Sequence, residues 1–133
     1  MNLVNRSEMR EQALVLLFEK EFFQDMPAGE IEEIYSENVA PLSEYGKEVF
    51  ENTLLHRDEF DEIIAKYSTS RRINRIPKIN LSILRLALYE MIYSDGVPTG
   101  VAVNEAVELA KKYSGKDDYS FINGILGSYI RSK

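Results

Sequence analysis

Cysteine is absent from this chain of 133 residues, which removes a disulfide framework, a thiolate nucleophile and a thiolate metal site together. Histidine occurs once, at position 56, in an acid-rich stretch. A Ser/His/Asp arrangement or a Glu-x-x-His metal pair therefore has nothing to build on. The seven glycines are scattered, so no glycine-rich phosphate loop can be assembled from them. Long apolar stretches are missing too, since uncharged runs such as residues 79–84 are far too short to span a bilayer. The opening MNLVNRSEMRE carries charges where a secretory signal needs an apolar block. These absences lead to the expectation of a cytoplasmic protein off the membrane, without metal, cofactor or enzymatic activity. In that setting the sequon Asn5-Arg6-Ser7 is incidental.

What is present describes an ordered binding module. Hydrophobic residues make up 44% and charged residues 29%, the balance of a globular chain rather than a disordered one. At this length one domain, residues 1–133, with a sizeable core is expected. The net charge of −6 hides an uneven distribution. Residues 21–62 carry thirteen acids against Lys47 and Arg57, whereas residues 63–133 carry eleven bases against six acids. Between Ile63 and Tyr89 stand Lys66, Arg71, Arg72, Arg75, Lys78 and Arg85, with no acid among them. Local field rather than net charge steers association, so a polyanion partner is compatible with this acidic chain. A solvated basic loop explains the same run equally well at this stage.

Apolar residues recur with a period near 3.6, and no alternating strand pattern competes with it. The pattern predicts all-α architecture, about seven helices in one compact body. The first helix runs Arg6 to Phe23, with Met9, Ala13, Leu16 and Leu17 on its stripe and Leu14, Phe18 and Phe22 beside it. Helices follow over Glu30 to Asn38, after Ser43 as N-cap, and around Phe60, Ile63, Ile64 and Tyr67. The polar, Pro-terminated stretch 68–77 (STSRRINRIP) reads as the junction between a first bundle, about 1–67, and a second, about 78–133. The helix Lys78 to Tyr93 is apolar nearly all round, the signature of a buried central element. Thr99 caps the next helix, Gly115 suits a left-handed C′ position behind it, and Asp117 caps the last, about Asp118 to Arg131.

Three polar features stand apart. On the helix 100–113, Val103, Ala106, Val107 and Ala110 form the inward stripe. Asn104, Glu108, Lys111 and Lys112 fall opposite, with Glu105 at the edge and Glu108–Lys112 a favourable i, i+4 pair. That is either a wet face or a partner-binding one. Gly124 and Gly127 in the last helix imply close approach of another helix or a ligand, because each glycine is ~1 kcal/mol worse than alanine there. Glu90 lies within the apolar arc of the central helix and needs a partner, Arg85 or an arginine of the first helix, since an isolated buried carboxylate is too costly.

Four ordered motifs then carry a resemblance over essentially the whole chain: MREQALVLLFE (9–19), ILRLALYEMIY (83–93) followed by VP (97–98), VAVNEAVELAKKY (101–113) and FINGIL (121–126). Together they resemble the NusB family of bacterial transcription antitermination factors. The resemblance implies an all-helical fold of two small packed bundles and a non-enzymatic adaptor. It would pair with NusE, the small-subunit ribosomal protein that doubles as a transcription factor. With it the adaptor would bind the boxA element of nascent RNA within an RNA polymerase antitermination complex and support transcription of rRNA operons. By the same resemblance Arg6, Arg10, Phe18, Tyr113, Asp117 and Phe121 would contact RNA, and Asn104, Glu105 and Glu108 the partner. Single-stranded RNA offers unstacked bases to aromatic rings, and Lys and Arg add a salt-dependent phosphate attraction. One departure stands out. The family's first helix opens with several arginines, whereas here Glu8 sits between Arg6 and Arg10, which predicts weak RNA binding without NusE. The competing expectation is a protein-interaction or oligomeric scaffold of the same fold that has lost RNA binding. Phe22 and Phe23, crowded at a helix end, would suit a homodimer that covers the arginine-bearing helices.

Overall fold

The computed structural model describes residues 5–133, the Lys116 side chain excepted. Among them are seven α-helices and no strand: α1 (Arg6–Phe22), α2 (Ala28–Asn38), α3 (Glu44–Leu55), α4 (Arg57–Tyr67), α5 (Lys78–Ile92), α6 (Thr99–Tyr113) and α7 (Lys116–Arg131), with a 3₁₀ turn at Ile73–Arg75. The all-α expectation holds. The chain divides into two compact units, the first ending at Leu55 and the second running from His56 to Lys133.

In the first unit α1 packs against α2 and α3. Asn5 starts α1: its Oδ1 accepts the Glu8 N–H at 2.8 Å while its Nδ2 donates to the Glu8 carboxylate at 3.2 Å. The asparagine of the sequon is thus a helix cap. Ala13, Leu14, Leu16 and Leu17 of α1 are buried, as are Ile31 and Tyr35 of α2 and Val49 and Phe50 of α3. Each large side chain so buried contributes ~1.5–3 kcal/mol. Ser43 caps α3 as expected, its Oγ accepting the Gly46 N–H at 2.9 Å. Gln12 sits among the apolar residues of α1 and fastens the segment leading into α3. Its Nε2 donates to the Pro41 carbonyl at 3.1 Å, and its Oε1 accepts the Ser43 N–H at 3.0 Å.

Glu32 of α2 is 8% exposed, and its Oε2 has no hydrogen-bond partner. Burial, then a hydrogen bond and like-charge repulsion from Glu51, push its pKa up to about 7 against the opposing pull of Lys47. The folded chain therefore holds this proton more tightly than the unfolded one. Its contribution is favourable below the ordinary carboxylate value of 4.5 and is lost as pH rises through about 7. Glu32→Gln is expected to remove that loss. Between pH 4.5 and pH 8 the wild type should lose ~1–3 kcal/mol relative to the variant in chemical denaturation. Parallel stability curves for the two would contradict the assignment.

In the second unit α5 is the centre. Every residue from Asn80 to Glu90 is buried, and the helix packs on α4, α6 and α7, as its all-round apolar pattern requires. The bundle boundary differs from the one expected at 67–78, because α4 packs on α5 and α7 through its buried Phe60 and Ile64. A single residue, His56, separates α3 from α4, with neither Gly nor Pro to mark the break. Arg85 pairs with Asp61 of α4, with Nε–Oδ1 at 2.7 Å and Nη2–Oδ2 at 2.9 Å. Glu90 is fully buried and engaged.

Three helix-end expectations are corrected. Gly115 has φ −82° and precedes α7 as its N-cap, and the left-handed glycine is Gly96 at φ +84°. Asp118, not Asp117, secures the start of α7 by accepting the Gly115 N–H at 3.1 Å. Thr99 is the first helical residue of α6, with Pro98 before it. A proline cannot offer a capping side chain, but its fixed φ suits the entry.

Candidate nucleic-acid and partner interface

The residues assigned to RNA by resemblance are distributed over both units. In the first, Arg6 is exposed at the start of α1, its guanidinium 3.8 Å from the centroid of the Tyr45 ring. That cation–π contact, worth ~0.5–1 kcal/mol, holds the charge at the surface. Arg10 is different. It is 3% exposed and engaged inside the protein, because the α1 register that buries Ala13, Leu14 and Leu17 carries it inward too. A guanidinium withdrawn so far offers almost no surface to an RNA phosphate, so the expectation for Arg10 becomes a structural one. Phe18 is half-buried and meets Phe22 edge to face at 5.0 Å; Phe22 itself is 57% exposed.

In the second unit the junction of α6 and α7 gathers cations around aromatic rings. Tyr113, at the end of α6, is 39% exposed, with Lys112 Nζ 5.5 Å from its ring centroid. Lys111 Nζ lies 5.5 Å from the Tyr119 ring. Asp117 is exposed in the first turn of α7. Phe121 is half-buried, and the Arg71 guanidinium covers its ring at 4.5 Å while pairing with Asp118 at 3.5 Å. Ser114 links this junction to the central helix by donating its hydroxyl to Asn80 of α5. Arg71 and Tyr119 join this junction without any motif in the sequence to mark them. Arg71 was visible only as one member of the acid-free basic run, because its placement against Phe121 depends on the loop's path.

The exposed face of α6 carries Val101, Asn104, Glu108, Lys111 and Lys112. The buried stripe is Ala102, Ala106, Leu109 and Ala110, with Val103 and Val107 at its margin, so it is rotated from the expected one. Glu108 pairs with Lys111 at 3.5 Å rather than with Lys112. Glu105 is half-buried and engaged. The close approach expected at Gly124 is not found: a Cβ there would meet nothing within 4 Å, and at Gly127 it would meet the Arg131 side chain at 3.1 Å. His56 stacks flat on Tyr93, 4.2 Å between centroids, and lies 3.8 Å from Glu59. No cluster of three or more His, Asp or Glu side chains placed to hold a metal occurs among the described residues. No helix among them is long and apolar enough to cross a membrane.

The NusB family model matches residues 7–131. The chain belongs to the NusB family. A "Transcription antitermination protein NusB" of Thermoanaerobacter sp. (strain X514) is 40% identical over 134 residues, covering 98% of this chain and 93% of that protein. Among solved structures, T. maritima NusB matches with a TM-score of 0.84 at 29% identity over 98% of this chain and 93% of that one. A chain in the crystal structure of antitermination factors NusB and NusE in complex with dsRNA matches with a TM-score of 0.83 at 26% identity, covering 96% and 97%. The first helix of this chain carries two arginines near its start, Arg6 and Arg10. Of Arg6 and Arg10, Arg6 alone remains exposed.

Proposed function

We propose that the chain is a transcription antitermination factor that binds boxA-type RNA jointly with the ribosomal protein NusE and supports transcription of rRNA operons. It would work in the cytoplasm as part of an RNA polymerase antitermination complex. The observation that carries this reading is the near full-length structural match to a chain crystallised as NusB and NusE with double-stranded RNA. The geometry supports it in two places. Exposed cations and rings at the α6–α7 junction suit RNA, since stacking on an aromatic contributes ~1–3 kcal/mol per base. Asn104 and Glu108, with Glu105 at the margin, form the protein-facing surface on α6 for NusE. Arg6, Phe18, Tyr113, Asp117 and Phe121 make up the proposed RNA set.

With Arg10 withdrawn, the protein alone should bind RNA weakly and lean on its partner. Fluorescence anisotropy of a labelled boxA-type RNA, titrated with this protein, with NusE and with both at two salt concentrations, tests this. Tight, salt-sensitive binding by the mixture alone is expected. A mixture that binds no better than NusE alone would mean a scaffold that keeps the fold without the RNA.

A further inference from the structure

The loop between α4 and α5 is built rather than slack. Ser68 donates its hydroxyl to the Arg71 carbonyl at 2.5 Å. The Arg75 N–H reaches the Arg72 carbonyl at 2.8 Å, and Ile76 N–H the Ile73 carbonyl at 3.2 Å. Ile76 is buried and pins the end of the turn before Pro77 opens α5. Arg72, extended just before the 3₁₀ turn, and Arg75, its last residue, line the same depression. Both are exposed, and neither forms an ion pair among the described residues. Arg71 is held differently, between the Phe121 ring and the Asp118 carboxylate. It anchors the loop to the start of α7, against Phe121 of the RNA set.

An open depression of about 700 Å³ results, lined by Ser70, Arg71, Arg72, Asn74 and Arg75. Three guanidinium groups, a hydroxyl and an amide line it, and no acid does. A loop kept basic for solubility alone would need neither this scaffold nor paired, unneutralised arginines.

We infer that the turn Ser70–Arg75 is a binding site for RNA backbone phosphates, with Arg72 and Arg75 as the contacting residues and Arg71 as the positioning one. The inference rests on the RNA-binding reading above and deepens it. The turn extends the RNA path away from Phe121 and makes good the cation that α1 loses when Arg10 is buried. Guanidinium forks match phosphate geometry, and each phosphate neutralised on a single strand adds about 0.7 to the salt slope.

The test is the salt dependence of boxA-type RNA binding to the protein with NusE, for wild type, Arg72→Gln with Arg75→Gln, and Arg72→Lys with Arg75→Lys. NusE binding without RNA is measured in parallel. The glutamine pair should lower the slope by about 1.4 and weaken binding about tenfold near 0.15 M salt. It should leave NusE binding unchanged. The lysine pair, which keeps the charges, should restore most of the slope. Wild type that binds RNA with a slope the glutamine pair does not change overturns this inference alone. Reduced NusE binding by the glutamine pair also overturns it, because the turn would then be a protein contact. Wild type that binds no RNA at any salt overturns the RNA reading and this inference with it.

Discussion

Asp61→Ala is expected to destabilise the second unit by ~2–4 kcal/mol, read as a lower denaturant midpoint by circular dichroism. The Arg85 side chain is 10% exposed and Asp61 26%, and the pair is joined by two parallel hydrogen bonds of 2.7 and 2.9 Å. Such a fork is worth more than a surface ion pair, because neither group can recover full hydration when its partner leaves. Alanine removes both hydrogen bonds from a guanidinium lodged in the central helix, and the penalty is chiefly that group's lost solvation. The double variant Asp61→Ala with Arg85→Met separates the two contributions. An unbranched apolar side chain fills the same channel without a charge, so the double should recover much of what the single loses. A loss below about 1 kcal/mol for Asp61→Ala, or a double no more stable than the single, would show that solvent reaches the pair freely.

The contrast between what the sequence made legible here and what it hid is one of range. α5 could be recognised because its burial is written locally, as apolar residues all round from Ile79 to Ile92. Ser43 could be recognised as a cap because hydroxyl and amide are three residues apart. Gln12 was invisible: its partners Pro41 and Ser43 lie 29 and 31 residues away, and a glutamine on an apolar stripe looks like an imperfection until they arrive. The depth of Arg10 was hidden for the same reason. Periodicity places it near the buried face, but a charge on such a face reads equally well as surface. In sequence α4 reads with the first bundle because a Pro-terminated polar loop is a louder signal than the single residue His56, where the two units divide.

Within the site, the aromatic positions Tyr113 and Phe121 and the exposed Asn104 were reachable through short motifs that keep their order. Arg71 was not, since its stack on Phe121 pairs residues fifty positions apart. The basic run between Ile63 and Tyr89 was legible as charge. Which of its members face a ligand depended on the 3₁₀ turn, which no local pattern announced.

Gln12 also sets the other large stability effect. Gln12→Leu keeps the volume of the side chain but leaves the Pro41 carbonyl and the Ser43 N–H without their partner. It also removes the hydrogen bond that Gln12 gives to Tyr35, whose burial already raises its pKa. Each orphaned polar group carries a penalty of ~1–3 kcal/mol unless water takes over. Space for that water is restricted. A Cβ added at Gly46 would stand 2.8 Å from Ser43 Oγ, 3.1 Å from Gln12 Oε1 and 3.2 Å from the Met9 carbonyl, so α1 and α3 already approach through a glycine. A loss of ~2–4 kcal/mol, independent of pH, is therefore expected for Gln12→Leu. Gln12→Glu makes a sharper comparison. Above its pKa the carboxylate still accepts from Ser43 but faces the Pro41 carbonyl with no proton to donate. Once protonated it donates there and restores the glutamine pattern. Its deficit should accordingly shrink as pH falls from 8 to 5, whereas that of Gln12→Leu should not move. If both variants lie within about 1 kcal/mol of wild type at either pH, the segment leading into α3 is held by its own cap at Ser43, and Gln12 is only a spacer.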